Sequence, residues 1–113
     1  MNVTTVDSGR VSVVRVGEPR LMYPLLSDFS SAVTSLVSAG KSDIVIDLTP
    51  VTYVDSATIG CFMDLYRQVQ GAGGKLKLSG VQKRVETMLT LTGAQNFIEI
   101  HPDEPSAVRS FGA

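Results

Sequence analysis

The chain has 113 residues, 43% of them hydrophobic, with ten Lys and Arg against eleven Asp and Glu for a net charge of −1. That length fits one compact domain, residues 1–113, able to bury a core without covalent staples. The scattered basic residues, with only Lys75, Lys77, Lys83 and Arg84 loosely grouped, exclude a nucleic-acid-binding stripe, and the single cysteine, Cys61, excludes an intrachain disulfide.

The opening stretch "MNVTTVDSGR" lacks a basic region followed by an apolar run, so no signal peptide is expected. No window reaches the roughly 18 apolar residues of a membrane span, and the expected location is cytoplasmic. "MNVTTV" and the β-branched "VSVVRV" at 11–16 read as two strands of a hairpin, with "DSGR" as its turn and Gly17 as its end. Met22, Leu25, Leu26, Phe29, Val33, Leu36 and Val37 then recur at helical spacing, with Pro24 in the first turn and Gly40 at the close. "DIVIDL", 43–48, is a strand with both faces covered. After Asp55-Ser56 a second helical stripe runs through Ile59, Phe62, Met63, Tyr66 and Val69 and stops at "GAGG", 71–74. "KLKL", 75–78, is a strand; Val81, Val85, Met88 and Leu89 make a third helix ending near Gly93; "FIEI", 97–100, is the last strand; Pro105, Ala107, Val108 and Phe111 mark a short final helix. The alternation predicts an α/β fold with a central mixed sheet of four or five strands, helices mainly on one face and the hairpin at an edge.

Most motifs reduce to structure. "GAGGKL" follows a helix instead of opening one, and no G-x-x-x-x-G-K-[ST] exists, so it reads as a helix end and tight turn and not a phosphate loop. Cys61 has no partner thiol and reads as a small buried hydrophobe. His101, beside Pro102 and Asp103, reads as an exposed loop residue, and one His with one Cys does not make a zinc site. Asp47 at a strand end invites a phosphoacceptor reading, which needs a second acidic cluster to hold a cation. The matching strand end offers only Glu18. Asp47 is read as a polar residue ending a buried strand.

Ser56 carries two readings. Ser and Asp both favour helix N-caps, and a cap stabilises by about 1 kcal/mol. Helix N-termini also favour negative charge, so the fold would tolerate a phosphate there that adds about −1.5 to −2 charge beside Asp55.

The stretch Tyr53-Val54-Asp55-Ser56-Ala57-Thr58-Ile59-Gly60, the pair Gly73-Gly74 and the helix end Leu91-Thr92-Gly93 resemble the pattern of a STAS domain, specifically the bacterial anti-sigma factor antagonists. The resemblance runs from about residue 11 onward and is strongest over 43–100. It implies a protein that binds an anti-sigma factor with serine-kinase activity, frees a sigma factor while unphosphorylated, and is reset by a phosphatase. The residue matching the phosphoacceptor is Ser56, with Asp55 beside it and no cofactor or metal. The sequence departs from the family pattern in carrying Thr58, itself phosphorylatable, where the family often has Gly. It also reads Gly17-Glu18-Pro19-Arg20 where the family has an acidic fourth residue.

The expected function is therefore regulated binding without catalysis. Glu18, Arg20, Asp55, Ala57, Thr58, Ile59 and Gly60 are expected to form the partner-binding surface, with Thr58 as a second or alternative acceptor. The rivals are a constitutive STAS scaffold or transport-accessory module in which Ser56 only caps a helix, and a small enzyme or ligand-binding domain built around Cys61 or Asp47.

Overall fold

β-branched runs and helical stripes alternate along the chain, and the computed structural model, which describes residues 3–23 and 25–112, turns them into strands and helices in that order. Met1 and Pro24, and with Pro24 its expected place in the first helical turn, lie outside the described residues. The elements are β1 (Val3–Ser8), β2 (Val11–Val16), β3 (Arg20–Leu21), α1 (Leu25–Ser38), β4 (Asp43–Asp47), β5 (Tyr53–Val54), α2 (Ser56–Gly71), β6 (Lys75–Ser79), α3 (Lys83–Thr92), a 3₁₀ turn (Ala94–Asn96), β7 (Glu99–His101) and α4 (Glu104–Arg109).

The main sheet has the order β1-β2-β4-β6-β7. β1 is antiparallel to β2 and lies at the edge, as the hairpin reading required; the other neighbours pair in parallel. Parallel strands need crossover connections, and α1, α2 and α3 supply them. Strand periodicity then separates two faces. Val14, Ile44, Ile46, Leu76 and Leu78 point toward Phe29, Val33, Phe62, Leu65, Val69, Val85 and Leu89 in the larger core. Phe29 and Phe62 meet edge to face with centroids 5.8 Å apart, joining α1 to α2.

Val11, Val13 and Val45 point the other way and are covered by Ala107, Val108 and Phe111. So three helices share one face, and α4 alone covers the other. Arg15 on β2 holds α4 through two hydrogen bonds to Glu104, at 2.7 and 2.9 Å. The buried Lys77 of β6 donates to Ser110 Oγ at 2.8 Å and lies 4.4 Å from the Phe111 ring centroid.

Several expectations need correction. β3 and β5 form a separate two-stranded parallel sheet that periodicity did not reveal, because two residues are too few to show a period. The last strand is shifted: Phe97 is exposed after the 3₁₀ turn, and pairing begins at Glu99. His101 belongs to β7 and not to an exposed loop; its Nε2 lies 3.0 Å from Glu99 Oε1 and its side chain is only 20% exposed. In "GAGG" the C-cap is Ala72, and Gly73 alone adopts a positive φ, 86°. Gly74 is required by space, since an added Cβ would collide with the Ser42 carbonyl. Asp47 behaves as expected: it ends β4 almost buried, and its Oδ1 accepts from Thr49 Oγ1 at 2.7 Å and Ser79 Oγ at 3.1 Å.

Candidate functional site at the start of α2

The junction between β5 and α2 is set by Asp55. Its backbone is extended (φ −109°, ψ −179°), and its Oδ1 accepts from the Thr58 N–H at 2.9 Å. Asp55 is therefore the N-cap and Ser56 the first helical residue, which corrects the reading of Ser56 as the cap. The cap binds one of the four N–H groups that a helix start leaves without partners. The Thr58 N–H first, and its hydroxyl second, hold the Asp55 carboxyl below its usual range, so it is an anion at neutral pH.

Thr58 turns inward. It is fully buried, and its Oγ1 lies 2.6 Å from Leu21 O and 2.8 Å from Asp55 Oδ1. Both are acceptors, so the single hydroxyl proton ties the first turn of α2 to β3 and to its own cap. Ile59 also faces the core, 3% exposed. Ser56, Ala57 and Gly60 are exposed. Of the residues expected to dock a partner, Thr58 and Ile59 thus belong mainly to the interior, while the others reach the surface.

The early loop arrives at the same place. Pro19 O accepts from the Thr52 N–H at 2.8 Å and from Thr52 Oγ1 at 3.0 Å, and β3 pairs Arg20 with Tyr53 and Leu21 with Val54. Arg20 is exposed and Glu18 half-buried beside this ribbon. The expected juxtaposition of the 17–20 loop with the start of α2 is present.

Ser56 stands between two grooves and is the residue common to both. One, of about 570 Å³, is lined by Tyr53, Val54, Asp55, Arg84, Thr87 and Met88. The other, of about 540 Å³, is lined by Ile59, Gly60, Met63, Asp64, Arg67 and Phe97, among others. Phe97 is 59% exposed and Tyr53 36%. Tyr53 belongs to the sequence motif around Ser56 but was not anticipated as a site residue. Arg84, Met88 and Phe97 were not anticipated either, and no local signal marks these three, which reach Ser56 only because α3 and the 3₁₀ turn pack beside α2.

Neither Cys61 nor Asp47, on which the rival reading was built, lines either of these two grooves. Cys61 is half-buried against the core, and burial pushes its thiol pKa up. His101 is engaged with Glu99. Among the described residues no group of three or more His, Cys, Asp or Glu could hold a metal ion, and no helix is long and apolar enough to cross a membrane.

The family model for the STAS domain matches residues 2–107. An anti-sigma-B factor antagonist of Bacillus subtilis (strain 168) is 31% identical over 68 residues, spanning 60% of this chain and 62% of that protein. That of Staphylococcus aureus (strain NCTC 8325 / PS 47) is 23% identical over 101 residues, spanning 89% of this chain and 93% of that protein. The solved anti-sigma factor antagonist SpoIIAA superposes in its unphosphorylated form with a TM-score of 0.82 at 15% identity, covering 99% of this chain and 98% of that one. Its phosphorylated Bacillus form superposes with a TM-score of 0.76 at 13% identity, covering 97% and 99%. With nearly the whole chain matched and the fold reproduced, the chain belongs to the STAS domain family.

Proposed function

We propose that this protein is an anti-sigma factor antagonist switched by phosphorylation of Ser56. The observation that carries the reading is the division of labour in the first turn of α2. Asp55 does the capping, Thr58 the anchoring, and the Ser56 hydroxyl stands exposed between two grooves. A kinase can reach it without disturbing the fold. The names of the relatives support the same reading, since they are antagonists of anti-sigma factors and one was solved in a phosphorylated form.

The unphosphorylated face, with Ala57, Gly60, Arg20 and Glu18, docks an anti-sigma factor with serine-kinase activity, and the buried Ile59 supports it from beneath. Phosphate on Ser56 adds about −1.5 to −2 charge next to the Asp55 carboxylate. A few kcal/mol of repulsion and desolvation in a docked interface weaken binding by roughly a hundredfold. A phosphatase partner restores the exposed hydroxyl. Thr58 is disfavoured as phosphoacceptor because its hydroxyl is buried and donates its proton to Leu21 O and Asp55 Oδ1, so modification requires the helix start to open.

The test is a phosphopeptide mass spectrum of the protein from its native cells, through growth and stress, with calorimetry of the modified and unmodified forms against the cognate anti-sigma factor. Phosphate on Ser56 with a loss of affinity near a hundredfold is the expected result. Phosphate on Thr58 alone would move the acceptor. No phosphate under any condition, with binding unchanged in Ser56→Asp, would replace the switch by a constitutive interaction module.

A further inference from the structure

We propose that Arg84 of α3 reads the phosphate on Ser56 within the same chain, pairing with it and closing the groove between α2 and α3. The inference deepens the proposed function and rests on Ser56 as the acceptor.

Arg84 and Ser56 line the same groove of about 570 Å³, whose apolar lining includes Val54 and Met88. The guanidinium carbon of Arg84 lies 5.9 Å from the centroid of the Tyr53 ring, the face of an exposed aromatic. Such a contact is weak at an exposed site and readily exchanged. Among the described residues no carboxylate forms an ion pair with Arg84. The acid nearest to Ser56 in the chain, Asp55, is committed to Thr58. A guanidinium that lines the same groove as Ser56, has no ion-paired carboxylate among the described residues and is held by a weak ring contact is set for a doubly charged oxyanion introduced into that groove. Arginine meets phosphate through two parallel hydrogen bonds, a geometry lysine cannot copy.

Other cations near Ser56 are less suited. Arg67 lines the second groove but is already paired with Asp64 at 3.0 Å. Arg20 lies across Tyr53, in a hollow of about 300 Å³ that includes Arg84 and not Ser56. The charged or titratable groups around a phosphate on Ser56 are therefore Asp55, Tyr53 and Arg84 on one side, and the Asp64–Arg67 pair on the other.

The consequence is a switch with two parts. The phosphate supplies charge, and the bridge it forms with Arg84 joins the start of α2 to α3 and covers the half-buried Met88. The apolar groove open to a partner in the unmodified protein is then occupied by the chain's own side chain.

The experiment installs phosphoserine at position 56 during translation, so that no kinase is needed, and follows the second ionisation of the phosphate by phosphorus NMR. Pairing with Arg84 favours the dianion, so its pKa is expected below the usual value of about 6. Arg84→Gln should raise it by roughly half a unit or more, about a threefold change in proton affinity. Arg84→Lys should recover part of the shift. Arg67→Gln and Arg20→Gln should leave it nearly unchanged. An unshifted titration in Arg84→Gln would overturn the pairing, as would equal shifts in all three glutamine variants, which would indicate a diffuse field. Because the phosphate is installed, these results judge Arg84 alone. Whether cells phosphorylate Ser56 is judged separately by the mass spectrum.

Discussion

The Asp55 carboxylate accepts from the Thr58 N–H, while the hydroxyl of Ser56 next to it faces solvent. The two side chains therefore respond differently to truncation. Asp55→Ala loses the cap, at about 1 kcal/mol and up to about 2. Ser56→Ala removes an exposed hydroxyl and should stay within about 0.5 kcal/mol of the parent. Thr58→Val leaves the buried Leu21 carbonyl without this donor and should cost about 1–3 kcal/mol. Urea midpoints at constant slope measure all three. A Ser56→Ala cost equal to that of Asp55→Ala would show the serine sharing the cap, and the division of labour behind the proposed switch would fail. Sequence alone placed an acid and a serine at this junction but left open which of them is the cap, and the structure gives that role to Asp55. Both residue types cap well, and only the backbone dihedrals distinguish the last extended residue from the first helical one.

At the scale of elements, two glycines of α2 and its exit have opposite meanings. Gly74 lies where the chain crosses Ser42 on its way into β6, and Lys75 N–H donates to Ser42 O at 3.0 Å. An alanine there must push the β4–β6 backbones apart, at about 1–3 kcal/mol, since neither side of the contact is a flexible side-chain end. Gly60, inside α2, has open space where a Cβ would go. Gly60→Ala should stabilise the fold by about 0.5–1 kcal/mol, because glycine loses more freedom than alanine on entering a helix. The same methyl group would stand on the surface proposed for the anti-sigma factor. Gly60→Ala is thus expected to raise the thermal midpoint and weaken partner binding, and unchanged binding would remove Gly60 from the docking face. Glycine content signalled the end of α2 correctly. The collision at Gly74 was not legible, because Ser42 lies on a different segment of the chain.

Over the whole molecule, several carboxyls are held below their ordinary values. Lys41 does this for Asp7 through a hydrogen bond, the Thr58 N–H for Asp55, the Ser106 N–H for Asp103, and Arg15 for Glu104. Partial burial opposes ionisation of Glu99, but His101 and Lys77 more than offset it. A group whose pKa is lower in the folded state stabilises the fold above its unfolded value, about 3.9 for Asp and 4.3 for Glu, and loses that contribution as pH falls through its folded value. Stability should be nearly level from pH 7 to about 5 and decline below about 4, followed by the urea midpoint against pH. Asp55→Asn should make the decline shallower. A midpoint that rises on acidification would contradict these ion pairs and caps.

The order of the main-sheet strands and the helices, the edge hairpin, the mixed sheet and the Asp55-Ser56 junction were legible in the chain itself, because period and capping chemistry are set by residues a few positions apart. Other features depended on segments distant in sequence. These are the placement of α4 on the opposite face, the β3–β5 ribbon that brings Arg20 to Tyr53, the inward turn of Thr58 onto Leu21, and the arrival of Arg84 in the groove of Ser56. Sheet pairing and helix packing decide such meetings, and no local pattern encodes which distant side chain will share a groove with a given hydroxyl.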